Sequence, residues 1–294
     1  MAAWFFPAPG AEAGLLPEEQ LWAMEATALE VRRLWFGGQV QPFYGGVLLR
    51  ELGTELVALL RARPEEAPRL VEEVRQRRAQ VVVTPFSQPR DLAVRLRRAG
   101  FYPVARQGAY VYRPSLPGPQ PAEGRPPAVA PRRRGLVPWP PGWLRRWLRP
   151  AGPAGPLAIA PISAEGLPEW NRVCWEAFGP PGLREEASLF EKERAFVNMG
   201  SRALWYLARL GQEPVGTAIL YLGDQAAQIL AVGTRPGYRR RGVATALVCR
   251  AIADFRARSR GVLFLDTWPG SGAERLYLRL GFRRAYIRTM YAPG

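Results

Sequence analysis

The 294-residue chain contains no histidine, only two cysteines and a single lysine, Lys192. Without histidine, a Ser-His-Asp or Cys-His nucleophilic site and any His-ligated zinc are excluded, and a large class of hydrolases goes with them. Cys174 and Cys249 lie far apart inside apolar segments. That spacing makes neither a disulfide framework nor a metal-ligand motif, so both read as small buried hydrophobes. Also missing is any run of about 18 apolar residues, the length needed to cross a membrane. The opening MAAWFFPAPG has no basic n-region and is broken by Pro7 and Pro9, unlike a secretory signal. The expectation is a cytoplasmic protein with no transmembrane segment and no metal.

What the chain has in excess is arginine. Its formal charge is +16, and nearly all the positive charge is guanidinium. Gly and Pro, at 30 each, are abundant too, as a bias toward GC-rich codons would produce. Basicity therefore argues only weakly for nucleic acid, which is not expected to be the main partner, although polyanions and phosphorylated ligands will be attracted. The 48% hydrophobic content can fill the cores of about two domains.

Residues 115–155 carry too much Pro and Gly for regular structure and read as a linker. Within it, GWLRRWLR puts Trp143, Leu144, Trp147 and Leu148 on one side of a short helix and Arg145, Arg146 and Arg149 on the other. Such a helix suits docking on a neighbouring domain, with a membrane-surface or nucleic-acid contact as the alternatives.

After the linker the pattern alternates regularly. A strand is expected at 157–162, then a helix capped by Ser163, a second and charged helix at 183–197, and three strands at 202–209, 215–222 and 226–232. A helix at 242–257, a strand at 262–266, a helix at 272–280 and a closing strand at 282–291 follow. The first three strands imply an antiparallel meander and the last half a parallel β-α-β crossover.

The end of the N-terminal segment resembles the end of the chain. VVVTPFSQPRDLAVRLRRAGFYPVARQGAYVYRP (81–114) lies over VLFLDTWPGSGAERLYLRLGFRRAYIRTMYAP (262–293) at an offset of 181, with Gly100-Phe101 on Gly281-Phe282 and Tyr-x-Pro closing both. FYGGVLLREL (43–52) is expected to open a long helix as YRRRGVATAL does. Together these point to an internal duplication whose first copy is reduced.

The chemistry centres on GYRRRGVATAL (237–247). Arg-x-x-Gly-x-Ala arises by chance in a chain this rich in Arg, Gly and Ala, and Arg149 to Ala154 in the linker is a second match. Prolines remove two amides from that second match. Only the match at Arg239 follows a strand and opens a helix, where free first-turn amides and the helix dipole suit a pyrophosphate.

In this register the residues resemble the GNAT superfamily of acetyl-CoA-dependent N-acetyltransferases, over roughly 156–294. The resemblance rests on the meander, AVGTRPGYRRRGVATAL, the VLFLD strand and AERLYLRLGF. It implies an α+β, three-layer αβα fold with a mixed, mostly antiparallel sheet, preceded by a smaller α/β GNAT-like domain at 1–114 that is non-catalytic. It implies acetyl-CoA as cosubstrate, its pyrophosphate on Arg239, Arg240, Arg241, Gly242, Val243, Ala244 and Thr245, and its pantetheine arm along the backbone of Ala231 and Val232. Tyr277 matches the tyrosine that faces the sulfur, as general acid or as hydrogen-bond donor to the thiolate; its N-terminal counterpart is Leu96. Many relatives carry an acidic residue where this chain has Gln228, which leaves Asp266 and Asp224 as base candidates. The charged helix with Glu185, Glu186, Glu191 and Glu193 usually walls the acceptor site, though here it reads better as a solvated face.

The expected function is acetyl transfer to an amine of a small molecule or peptide by direct attack, in the segment 156–294. The N-terminal part is left to cover the acceptor site or to mediate a homodimer. The rival readings are an acyl-CoA-binding regulatory module without catalysis and an arginine-rich nucleic-acid binder.

Overall fold

The computed structural model describes residues 16–113 and 156–294, apart from 52, 180–184 and 260. The amphipathic segment expected at 143–149 and the GPPG stop after Gly179 lie outside the described residues. Helix α1 spans Glu18–Phe36 and is followed by the strands β1 (Gln39–Phe43), β2 (Gly46–Glu51) and β3 (Thr54–Ala58). Then come α2 (Ala67–Gln76), β4 (Gln80–Val83), α3 (Leu92–Arg98) and β5 (Phe101–Tyr112). The C-terminal part runs β6 (Leu157–Pro161), α4 (Leu167–Phe178), α5 (Glu185–Met199), β7 (Ala203–Leu210), β8 (Glu213–Leu222) and β9 (Ala226–Thr234). It closes with α6 (Val243–Arg258), β10 (Val262–Thr267), α7 (Gly272–Arg279) and β11 (Phe282–Pro293).

The elements expected after the linker all stand, with their ends moved by a residue or two. Ser163 precedes a single 3-10 turn, Ala164–Gly166, rather than the helix itself, and makes no capping bond. Its hydroxyl is turned instead to the carboxylate of Glu165. At α7 the cap is complete: Ser271 Oγ accepts from the Glu274 amide at 3.0 Å while Glu274 accepts from the Gly270 amide, a reciprocal pair that fixes where this helix starts.

One expectation fails outright. FYGGVLLREL does not open a helix; it forms the β1–β2 hairpin, with Phe43 opposite Gly46. Tyr44 and Gly45 take φ of 47° and 68°, the two left-handed residues of a two-residue turn. A Cβ on Gly46 would meet the Ala58 carbonyl at 2.5 Å. The glycines thus serve a tight turn packed against β3, and the Val-Leu-Leu run after them reads as strand.

All the described strands join one sheet in the order β1-β2-β3-β4-β11-β5-β10-β9-β8-β7-β6. Only β3–β4 and β9–β10 are parallel, so the sheet is mixed and mostly antiparallel, as expected. Helices α2, α3, α6 and α7 cover one face; α1, α4 and α5 cover the other. The fold is α+β with three layers. No described helix is long and apolar enough to cross a membrane.

The sheet order contains an exchange. Strand β5, from the N-terminal segment, sits beside β10, while the final strand β11 sits beside β4. β5 and β11 pair with each other in a register that is its own image: Phe101 faces Pro293, Phe282 faces Tyr112, and Gln107 faces Arg288 between them. At the offset of 181, Phe101 corresponds to Phe282 and Gln107 to Arg288, so a pseudo-twofold passes through the Gln107–Arg288 pair. The order strand-strand-strand-helix-strand-helix-strand recurs on either side of it.

Helix α1 also crosses over. It packs on α5, β9 and β10 of the C-terminal part. Trp35 stacks on Trp205 at 5.7 Å between centroids, and Met24 joins Phe264 and Tyr286 in a buried cluster.

Candidate active site

The parallel pair β9–β10 is in register from Ala226 opposite Val262 to Ile229 opposite Leu265, and there it stops. Beyond that point β9 continues to Thr234 on β8, and β10 continues to Thr267 on β5. Two strands that part at their carboxyl ends leave a crevice with unsatisfied backbone on its walls, the place where open sheets of this kind bind ligands.

Ala231 and Val232 lie on the β9 wall of this crevice. The β8–β9 register shifts between Thr217 and Ile219, and Ala231 takes φ of 51°. This is a β-bulge, which turns one residue's backbone out of the ladder. Thr217 Oγ1 braces it by donating to the Ala231 carbonyl at 3.1 Å. Such a conformation costs an alanine about 1–2 kcal/mol.

At the mouth of the crevice is the arginine loop. Arg240 and Gly242 take φ of 64° and 81°, with Arg241 between them, so that successive amides turn toward a common point ahead of α6. Helix α6 starts at Val243 with no side-chain cap and no acidic residue in its first turn. Ala244 and Thr245 are half-buried there. The three arginines differ. Arg239 is bound to the chain itself, donating to the carbonyls of Thr234 at 3.2 Å and Ala177 at 3.3 Å, and so ties the end of α4 to the loop. Arg241 lies 5.4 Å from the Tyr238 ring centre. Arg240 is exposed.

The equivalent place in the N-terminal segment is closed. The β3–β4 ladder is continued by a bridge between Arg61 and Gln88, and Glu66 at the start of α2 accepts from the Arg63 amide at 2.8 Å. An anion there would meet a carboxylate already in position.

Tyr277 is 6% exposed, in a cluster that includes Ile229 and Leu265, the last paired residues before the strands part. Its ring meets Phe282 edge-on at 6.0 Å. Burial pushes its hydroxyl up to about 12. Leu96, its counterpart, is fully buried and apolar.

The two aspartates separate. Asp224 lies at the far end of β9 from the crevice, is 81% exposed and pairs with Arg202 at 2.6 Å. Asp266 stands on β10 one residue past the fork and is 10% exposed. Gln228 Nε2 donates to Asp266 Oδ2 at 2.9 Å, and Arg288 Nη1 donates to the same oxygen at 2.9 Å. Asp266 Oδ1 and Gln228 Oε1 are both buried with no partner among the described residues. Burial pushes the Asp266 carboxyl above its usual range, against the pull of Arg288.

Three further members of this cluster, Glu25, Tyr286 and Arg288, are not among the residues the sequence singles out. Glu25 on α1 is 5% exposed and accepts from Arg288 Nε at 2.8 Å and from the Tyr286 hydroxyl. Arg288 also donates to Gln107 Oε1 at 3.4 Å. A signal was there, weak but physical: Arg288 interrupts the inward alternation Tyr286, Arg288, Met290, and Glu25 follows the buried Met24 on a helix. A charged residue on a buried face has a partner.

Residues 165–282 match the model of the Acetyltransferase (GNAT) family. This part of the chain is a GNAT acetyltransferase domain. The fold is also that of solved structures. The GCN5-related N-acetyltransferase of Kribbella flavida is similar over 93% of this chain and 95% of its own, with 18% identity and a TM-score of 0.60. The GCN5-related N-acetyltransferase of Sphaerobacter thermophilus is similar over 94% and 92%, with 20% identity and a TM-score of 0.54. A conserved protein of unknown function from Staphylococcus epidermidis matches over 88% and 95%, with 13% identity and a TM-score of 0.55. No curated protein matches the chain. These likenesses span both halves, so the sheet that carries the GNAT domain is a whole-chain fold.

Proposed function

We propose that the GNAT domain transfers an acetyl group from acetyl-CoA to an amine of a small molecule or peptide. The observation that carries this reading is the fork of β9 and β10, which opens beside an uncapped helix N-terminus and has a carboxylate at its base.

The chain's own groups fit the cosubstrate. The amides from Arg240 to Thr245 hold the pyrophosphate, with Arg240 and Arg241 at its rim. The side chain of Arg239 contributes by fixing the loop, since its guanidinium is engaged with two carbonyls. The bulge at Ala231 and Val232 offers backbone to the pantetheine arm. Acetyl-CoA supplies an electrophilic thioester carbonyl. The acceptor nitrogen bonds to that carbon, the carbon–sulfur bond breaks, and the ammonium proton passes to Asp266.

Two features support Asp266 as the base. Asp266 Oδ1 and Gln228 Oε1 are buried acceptors without donors among the described residues, and an ammonium, directly or through a water, is a donor. The raised pKa brings the carboxyl closer to neutral pH, where a base works best. Gln228 therefore does not leave the site without a base, and this weighs against a regulatory module without catalysis.

Tyr277 acts as a hydrogen-bond donor to the departing sulfur. Moving its proton from a hydroxyl near 12 to a thiolate near 8.5 would cost about 5 kcal/mol. Tyr277→Phe is accordingly expected to lower kcat about tenfold, the value of one hydrogen bond to a charged atom, and to leave acetyl-CoA affinity unchanged. Loss of more than a thousandfold would point to proton donation instead.

Asp266→Asn tests the reading. Turnover is expected to fall about 10²–10⁴-fold at neutral pH, with acetyl-CoA affinity kept. Undiminished turnover in a folded variant would remove Asp266 from the mechanism.

A further inference from the structure

We propose that Glu25, supplied by α1 of the N-terminal half, is a positioning residue for the catalytic half: it competes with Asp266 for the single guanidinium of Arg288 and so keeps Asp266 ready to take a proton. The proposal rests on the reading of Asp266 as the base.

The charge balance carries the argument. Asp266 is bonded by Arg288 from β11 and Gln228 from β9, and through Arg288 it is joined to Glu25 from α1, Tyr286 from β11 and Gln107 from β5. Among them is one cation and one further carboxylate. With both carboxylates ionised, a nearly sealed cluster holds a net negative charge, which burial penalises. One added proton relieves it, and the two acids do not compete for that proton equally.

Glu25 Oε1 accepts from Arg288 Nε at 2.8 Å and from the Tyr286 hydroxyl, and Arg288 Nη2 stands against it as an ion pair at 2.7 Å. Asp266 also accepts two, both on Oδ2, but only one of them comes from the guanidinium, and its Oδ1 has no partner among the described residues. Hydrogen bonds to the anion favour the anion. Glu25 is thus the better-solvated carboxylate, with two of the three guanidinium nitrogens against it, and Asp266, ionised at rest, takes an added proton on Oδ1. Burial raises both carboxyls above their usual range against the pull of Arg288, and the neighbouring Asp266 charge adds to the rise at Glu25.

A proton accepted from the acceptor amine would therefore enter a place already prepared for one. The N-terminal half, whose own crevice is closed, acts through this contact.

The chain has only four aspartates, Asp91, Asp224, Asp254 and Asp266, so carbon-13 NMR of labelled aspartate carboxyls in the full chain can follow each one, with Asp266→Asn as the assignment reference. Glu25→Gln removes the competing charge and keeps the shape. Arg288 is then left to Asp266 alone, and the Asp266 titration midpoint is expected to fall by about one pH unit or more. Tyr286→Phe, which withdraws a donor from Glu25 and so makes Glu25 the readier of the two to take the added proton, is expected to move the Asp266 midpoint down by a smaller amount; it decides the matter if Glu25→Gln does not fold. An unchanged or raised midpoint overturns the proposal, because a purely structural clamp would leave the titration where it was. The titration needs no acceptor and no turnover. Retained activity in Asp266→Asn would sink the base reading without touching the NMR result, and an unmoved midpoint would sink the role of Glu25 without touching the base.

Discussion

Residues 156–294 expressed alone are expected not to fold cooperatively and not to bind acetyl-CoA, although the family match lies wholly within them. The reason is the strand exchange. Without β5, the β10 and β11 edges both lose their partner, and unpaired edges aggregate. Tyr110, Ala109 and Val111 leave the core, and Phe264, Phe282 and Tyr286, all nearly unexposed in the whole chain, lose their cover. Burial of each large side chain contributes roughly 1.5–3 kcal/mol. Four or five such losses match the whole stability of an ordinary domain, about 5–15 kcal/mol. Loss of α1 removes the Trp35–Trp205 stack and leaves Arg288 without Glu25. Co-expression with residues 1–135 is expected to restore both the thermal transition and the binding. A cooperative transition in 156–294 alone, seen by circular dichroism, would mean that the exchanged strands are not obligatory.

The second large effect is expected at Gly242. Its φ of 81° lies in the region where a β-branched residue is strained by about 1–2 kcal/mol. In Gly242→Val the loop can escape that strain by turning the peptide over, which takes the amides away from the pyrophosphate. Acetyl-CoA affinity is expected to drop about a hundredfold or more, equivalent to roughly 2.7 kcal/mol, with little change in thermal stability. Gly100 provides the control. Its φ of 87° is just as left-handed, and a Cβ there would have no neighbour within 4 Å, but it lies at the end of α3, away from the crevice. Gly100→Val should show comparable strain and unaltered affinity, measured by calorimetry on both variants. Equal affinity in Gly242→Val and the parent chain would mean that the loop is not the cradle.

How much of this could be read from the sequence depended on distance along the chain. The arginine loop was legible because everything that makes it a cradle is local: a strand, a glycine at a left-handed corner, and a helix with no capping side chain. The elements around it follow from the period of their apolar residues. The exchange of β5 and β11 was not legible, for a specific reason. Both strands follow a helix and a Gly-Phe stop, and both end Tyr-x-Pro, so each satisfies either neighbour, and no local rule says which β-strand it pairs with. FYGGVLLREL misled because its likeness to YRRRGVATAL lies in the glycine alone. In one stretch the glycine opens a helix, and in the other it turns a hairpin whose sides are Val and Leu. The acid-base cluster joins Glu25 to Arg288, at opposite ends of the chain. Sequence offered Asp266 and Asp224 as equals, and burial separated them: one lies at the fork under α1, the other in solvent with Arg202.

The central claim is that this fork binds acetyl-CoA and passes its acetyl group to an amine. The most direct measurement is mass spectrometry of the products when the full chain is incubated with carbon-13-labelled acetyl-CoA and a panel of small-molecule and peptide amines. The account predicts a labelled amide and an equal amount of free CoA for at least one amine, and neither product in Asp266→Asn. Tight binding of acetyl-CoA with no labelled amide from any amine, and CoA released no faster than by water alone, would contradict it.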